Sequence, residues 1–579
     1  MIVGECNFEN SITKGEGFIK NENVYIKGNG YETKINGSSY GVILLGNVYN
    51  ASDIQQHVNF IGSSPRNINE LILLSYYAKG TEFIQKLRGN FCIVIYDGKN
   101  KRLLLVRDHL GVWPLFYKYT EDRGIMFSSD LGTLASSNKE NIVTKIGLCE
   151  IFGIGPAKTI GTTVFKDINE VMPGHIATFE ENEVTQMGYF KLTSSLHKDD
   201  IQNTVNNVRN MVIHSVTSAI TKDTCSLLSG GIDSTVVTAI VANHIKNEYG
   251  KKLNTFSFDY KNNDKYFTSN SFQPQEDAPY VKMAVDAIGT NHTYLQIDTD
   301  DLINNLYECV VAKGLPGMGD IDSSLLSFLK KVKLSNSQFF TGEGADEVLG
   351  GYPWFNRQEL INVKGFPWSY DINVREDILH DDIKTTLNVR GYVNEMYEYS
   401  LKIVPLLQGE EKSEENLRKI YYLCTQWFMP TLVARTQRIS AYIGITPHMP
   451  YGDVDLLQYA YNIPWSIKLK NGTPKYTLRQ AFADLLPKQL VNRKKSPFPK
   501  TYNPAYTKSL KNLIKEEVLN KNAPIYPLLN EVVISNILLE EDNVNDSPWF
   551  GQLMKRPQQL AYILQINYWL KKYNINLKV

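Results

Sequence analysis

A glycine-rich loop between a short apolar strand and a helix most limits how this chain can fold. Residues 225–228 read as the strand, Ser229-Gly230-Gly231-Ile232-Asp233-Ser234 as the loop, and residues 235–241 as the start of the helix. The alternation continues. Strands are expected at 255–258, 292–297 and 338–341, and a helix at 278–288 that stops at Gly289. Strands separated by helix-length segments pair in parallel, and a parallel sheet holds its ligands at the carboxyl ends of its strands.

The glycines let backbone amides come close to phosphate oxygens, and the helix start adds positive potential. Ser229 and Ser234 can donate hydroxyl hydrogen bonds. Asp233 would repel a bare phosphate, but it suits the loop if Mg²⁺ lies between them. Taken alone, the segment reads equally as a turn capped by Asp or Ser. No Gly-x-x-x-x-Gly-Lys occurs, so the loop is not of the Walker kind. A second loop follows the fourth strand: Thr341-Gly342-Glu343-Gly344-Ala345-Asp346-Glu347-Val348-Leu349-Gly350-Gly351-Tyr352. Alone it reads as an acidic turn with helix caps. With both loops on one sheet, a shared nucleotide–metal site is the better reading. If buried, Glu343, Asp346 and Glu347 need a cation or basic partners.

The first 190 residues show a different pattern. Residues 91–96 and 102–106 are apolar runs joined through Asp97-Gly98, a hairpin signal. Residues 115–119 and 125–128 form a second pair, and 69–79 read as a buried helix stopped by Gly80. Layered sheets covered by helices are expected here. A polar stretch at 192–211 marks a junction. The expected division is 1–190, then a nucleotide-binding α/β core over 205–360, then a mainly helical remainder over 361–579.

Composition excludes several functions. The 579 residues carry 61 basic and 61 acidic side chains, which argues against nucleic-acid binding by bulk charge and against a polybasic membrane anchor. At 42% hydrophobic the chain is ordinary globular protein rather than a disordered one. Its six cysteines show no CxxC spacing, so buried thiols in a reducing compartment are expected, not zinc. No apolar run reaches membrane-spanning length. A cytoplasmic protein with no nucleic-acid or membrane partner is the expectation.

The residue order resembles a known superfamily. Ser229 to Ser234 are similar to the pyrophosphate loop of N-type ATP pyrophosphatases. With residues 341–352, Asn471-Gly472-Thr473-Pro474-Lys475-Tyr476 and Asn492-Arg493-Lys494-Lys495-Ser496-Pro497-Phe498, they resemble the synthetase domain of the asparagine synthetase superfamily. Gly46-Asn47-Val48-Tyr49-Asn50, Leu87-Arg88-Gly89-Asn90-Phe91 and Arg107-Asp108-His109-Leu110-Gly111 resemble its class II glutamine amidotransferase domain. The resemblance implies an N-terminal Ntn-like αββα sandwich followed by a parallel α/β ATP-pyrophosphatase domain with a helical C-terminal region. It also implies an ATP-dependent amide ligase that adenylates a carboxylate, releases pyrophosphate and passes the acyl group to an amine.

By motif, the resemblance places pyrophosphate on Ser229, Gly230, Gly231, Asp233 and Ser234, and the nucleoside near Leu228, Ser257 and Gly344. It makes Asp233 and Asp346 the ligands of Mg²⁺, Lys495 the catalytic lysine and Glu343 the manager of the amine's proton. Lys494 is expected outside the site. The substrates implied are a small-molecule or peptide carboxylate and an amine, and a homodimer is left open.

The departures matter as much. The family's nucleophilic Cys follows the initiator Met, and here that residue is Ile2. Leu45 replaces the Asn of the family's Asn-Gly-Glu segment, and Ile68 replaces the Asp that holds glutamine's amine. The expectation is therefore a scaffold without glutaminase activity, as in β-lactam synthetases and lasso-peptide cyclases, and an amine from elsewhere, including lactam or macrolactam closure. An ammonia-dependent asparagine synthetase is the near alternative, and a non-catalytic scaffold the distant one. Residues 446–453 also depart from the family pattern and are expected to alter the acyl pocket.

Overall fold

The structure, a computed structural model, describes residues 1–9, 19–20, 23–57, 65–269, 275–369, 371–540 and 548–578. It divides into two compact units, Met1–Ile142 with Ile160–Leu192, and Val143–Thr159 with Thr193–Val579.

The strand Gly89–Asp97 organises the first unit because its two faces enter two different cores. Cys92, Val94 and Tyr96 point into one cluster with Ile2, Cys6, Val24, Phe127 and Phe179. Phe91, Ile93 and Ile95 point into another with Leu71, Ile72 and Leu73 of the helix Ile68–Lys79. This is the period-2 alternation of a strand buried on both sides. Gly89–Asp97 pairs antiparallel with Arg102–Arg107 and Ser38–Val48, inside a sheet of six strands. The turn at Asp97 is tied by its carboxylate, which accepts from the N–H groups of Lys99 and Asn100 at 3.1 and 3.0 Å. A second six-stranded sheet contains Val3–Cys6, Val24–Lys27, Phe116–Tyr119 and Ile125–Ser128. The first cluster fills the space between the two sheets. Ile68–Lys79 covers one outer face and Leu131–Ser136 lies on the other. This is the αββα sandwich of the Ntn type.

The Arg107-Asp108-His109-Leu110-Gly111 segment is built around buried charge. The Arg107 guanidinium pairs with Glu170 at 3.0 Å and donates to the carbonyls of Trp113, Val171 and Gly111. Asp108 accepts backbone N–H groups from Phe91, Leu110, Val112 and Trp113. Burial nevertheless raises its pKa to about 6, the backbone donors and Arg107 opposing.

The second unit holds a five-stranded sheet in the order Asn291–Ile297, Asn254–Tyr260, Thr224–Leu227, Gln338–Phe340, Thr446–His448, with every pair parallel. The first four strands are those expected. The fifth is not among the expected strands and comes from beyond residue 360, within the stretch expected to be mainly helical. Three residues carrying a Pro and a buried His give no strand-length apolar run, so the segment is a strand only because Gln338–Phe340 offers it an edge. His448 is buried on Phe340, with ring centroids 4.8 Å apart, and its ring bonds to the Gln338 amide at 2.7 Å. No helix among the described residues is long and apolar enough to cross a membrane. All six cysteines are buried and free.

Candidate active site

The sheet order creates the site. Thr224–Leu227 is first in the chain yet central, with the next two strands on one side and Gln338–Phe340 on the other. The connections leave in opposite directions at this point, and the loops after these two strands bound a crevice. Ser229 and Gly231 to Ser234 line it from one loop, and Thr341 to Gly344 with Asp346 and Glu347 from the other. The loops touch: a Cβ on Gly342 would stand 2.6 Å from the backbone N of Ser234. Gly230 adopts φ +70°, and a Cβ there would meet the backbone N of Val281 at 2.7 Å, so glycine is required twice over. The Ser229 and Ser234 hydroxyls bond to each other at 2.9 Å. Helix Ile232–Tyr249 begins directly after Gly231.

Leu228, Ser229, Gly231, Asp233, Ser234, Ser257, Glu343, Gly344, Asp346 and Lys495 line one cavity. Gly230 alone of the expected set does not. It turns the backbone against Tyr280 and Val281 instead. Lys494, expected outside, sits on the rim with its side chain exposed. Residues 446–453 do not line the cavity; from behind, the Tyr451 hydroxyl donates to the Asp233 carbonyl at 3.2 Å.

Charge inside the cavity is matched with care. Lys475, almost fully buried, places its ammonium 2.5 Å from Asp233 Oδ2 and 2.5 Å from Asp346 Oδ1. Lys495 pairs with the other oxygen of Asp346. Burial works to raise the pKa of both acids. At Asp233 it wins over Lys475 and the pKa is raised; at Asp346 Lys475 and Lys495 win and hold it down to about 2. Burial and the neighbouring Asp346 push Glu347 up to about 7, although the Tyr352 hydroxyl donates to it at 2.7 Å. Glu343 pairs with Arg435 at 2.5 Å, and Arg435 stacks 5.1 Å over the Phe498 ring. Arg493 donates to the Ser229 carbonyl at 3.1 Å, pairs with Asp277 and lies 4.1 Å over Tyr280.

Lys475, Arg435 and Arg493 were given no role from sequence. Each is nearly buried and paired to an acid from a distant segment, so local pattern carries no sign of it. The motifs Pro474-Lys475-Tyr476 and Asn492-Arg493-Lys494-Lys495 are the available signals for Lys475 and Arg493.

The carboxylates fit a magnesium ion. Asp233 and Asp346 contact the same ammonium, and the buried Asp233 Oδ1 has no hydrogen-bond partner. Mg²⁺ takes one or two carboxylates, with phosphate oxygens completing its shell.

Residues 207–571 match the asparagine synthase family and 34–190 a glutamine amidotransferase domain. The chain is 37% identical over 546 residues to asparagine synthetase (glutamine-hydrolyzing) 3 of Bacillus subtilis (strain 168), covering 93% of this chain and 88% of that protein. It is 23% identical over 524 residues to asparagine synthetase (glutamine-hydrolyzing) 1 of the same organism, covering 84% and 79%. It is also 23% identical over 578 residues to amidase chyE of Penicillium rubens, covering 86% and 81%. Fold and site thus define an ATP-dependent amide-forming ligase. The chain belongs to the asparagine synthase family.

Proposed function

We propose that this ligase adenylates a carboxylate and couples it to an amine that its own N-terminal domain does not generate. The observation that carries the first half is the buried group Asp233–Lys475–Asp346–Lys495 where the two loops meet. A carboxylate oxygen attacks the α-phosphorus of ATP, and the bond to the β-phosphate oxygen breaks, releasing pyrophosphate. Ser229, Gly231 and Ser234 hold the pyrophosphate with hydroxyls, backbone N–H groups and the helix start. Asp233 and Asp346 hold Mg²⁺, which when bound offsets phosphate charge. Lys495 opposes the negative charge that grows on the phosphates and the acyl oxygen. The amine then attacks the acyl carbon, the amide forms and AMP leaves. Glu343 takes the amine's proton, with its carboxylate aimed by Arg435.

The second half rests on the first unit. Ile2 is fully buried between the sheets, with its backbone N–H donating to Ser129 Oγ at 3.0 Å. Leu45 packs on the inter-sheet core and Ile68 on the helix-side core. Burial pushes the Cys6 thiol far above its ordinary pKa, which suppresses the thiolate a nucleophile needs. Lactam or macrolactam closure is one use of such an enzyme. A second reading, an ammonia-dependent asparagine synthetase, is favoured by the intact 341–347 loop and by the names of the relatives. Product analysis tests the proposal. Incubation with ATP, Mg²⁺ and candidate acids should yield AMP and pyrophosphate, whereas ADP and phosphate would reject it. L-Aspartate with ammonium as the best pair would select the second reading.

A further inference from the structure

A chain of four polar side chains runs through two strands into the nucleoside end of the cavity. Thr290 Oγ1 and Thr255 Oγ1 lie 2.8 Å apart, Thr255 Oγ1 and His292 Nδ1 3.0 Å, and His292 Nε2 and Ser257 Oγ 2.9 Å. Thr255 and Ser257 share one face of Asn254–Tyr260, and His292 stands opposite Thr255 on Asn291–Ile297. Thr255 is fully buried and Ser257 and Thr290 nearly so. Burial lowers the pKa of His292, so the ring is neutral at pH 7 and has one donor and one acceptor nitrogen. Ser257 opens onto the cavity among Leu228, Phe256, Phe258 and Tyr294, an apolar setting suited to a purine ring.

A neutral imidazole between two hydroxyls makes their directions interdependent. If Nδ1–H donates to Thr255, the Thr255 hydroxyl passes its hydrogen to Thr290, and Nε2 is left to accept from Ser257. The serine oxygen then shows the cavity lone pairs and no hydrogen. That polarity matches the amino group at C6 of adenine and opposes a carbonyl at C6, where two acceptors would face each other.

We propose that His292 is a positioning residue that takes the Ser257 hydroxyl hydrogen on Nε2, so that Ser257 selects nucleotides whose purine carries a 6-amino group. The inference rests on the nucleotide reading of the cavity and adds to it the element that reads the base. It assigns His292, Thr255 and Thr290 to specificity rather than to chemistry.

Calorimetric titration with Mg·ATP and Mg·ITP, without any acyl substrate, tests it. The two nucleotides differ only on the Watson–Crick edge of the base, at the C6 amino or carbonyl group and at N1, an acceptor in adenine and an N–H donor in hypoxanthine, so the Ser257→Ala arm shows whether any preference runs through the serine. The parent protein should favour ATP by about tenfold or more, the scale of one hydrogen bond made against one opposed. His292→Leu and Ser257→Ala should each bring the two affinities together. His292→Gln retains a carbonyl acceptor and should recover most of the preference, which a purely structural role would not produce. If His292→Leu fails to fold, Ser257→Ala decides alone. A preference that survives Ser257→Ala, or a folded His292→Leu that keeps the parent's ratio, overturns the inference. Binding of both nucleotides by the parent without discrimination overturns it while leaving the ligase reading intact. Binding of neither overturns both.

Discussion

Lys495 reaches Asp346 from 149 positions further along the chain, and its ammonium, paired there in the lining of the cavity, lies 5.4 Å from the centre of the Tyr352 ring. The lysine is thus fixed before any substrate arrives. If its charge serves the transition state, Lys495→Ala should lower kcat by about 10²–10³ and change the KM for ATP far less. Lys494→Ala, on the exposed rim, should cost much less. Equal and mild effects would reduce the pair to a solvated basic turn. Arg at 495 should not restore full activity, because a planar guanidinium places its charge differently.

Lys475 offers a test that needs no substrate. Lys475→Met removes the cation shared by Asp233 and Asp346 while keeping most of the side-chain volume. Breaking such a buried pair costs about 3–5 kcal/mol. Thermal unfolding should show a clear loss, and added MgCl₂ should raise Tm more in the variant than in the parent because it replaces part of the missing charge. A variant that melts like the parent, or that ignores Mg²⁺, would count against a shared cation site.

Glutamine should not be hydrolysed, and ammonium or an amine should be the nitrogen donor. The measurement is glutamate release, with the parent compared against an Asp108→Ala variant. Release above background that disappears in the variant would restore a glutaminase to the first unit.

Asp320 predicts a pH dependence of stability. Its carboxylate is fully buried, accepts from Gln558 Nε2 at 2.9 Å, and burial raises its pKa from 3.8 to about 6. The folded state therefore holds a proton that the unfolded state has already released between these values. The associated stability is present below the unfolded value and is lost as pH rises through about 6. The full effect is on the order of 3 kcal/mol. Asp320→Asn cannot ionise, so the parent should lose stability relative to it from pH 4 to pH 7. Parallel curves, or the opposite slope, would contradict the assignment.

The sequence exposed what depends on neighbours in the chain. The apolar run of residues 91–96, the Asp97-Gly98 turn and the stop at Gly289 are short-range signals, and each lies where it is expected. The loop residues Ser229 to Ser234 were legible because glycines before a helix mark a backbone shape that few other residues can adopt. What stayed hidden depends on distant partners. Lys475 looks like a surface lysine until Asp233 and Asp346 are folded around it, and Thr446–His448 has no strand signature until an unpaired neighbour needs it.

That last strand has a consequence for how the ligase half can be divided. Between Gln338–Phe340 and Thr446–His448 the chain makes a helical excursion of about a hundred residues and returns to the sheet it left. The helices are interleaved with the nucleotide core, not appended to it. A deletion or fusion that treats residue 360 as a seam would leave Gln338–Phe340 with an open hydrogen-bonding edge, an invitation to aggregate. It would also separate Glu343 from Arg435 and Asp346 from both of its lysines. Trading specificity between relatives by segment exchange should therefore succeed only when the exchanged piece carries the excursion together with the strand that closes it.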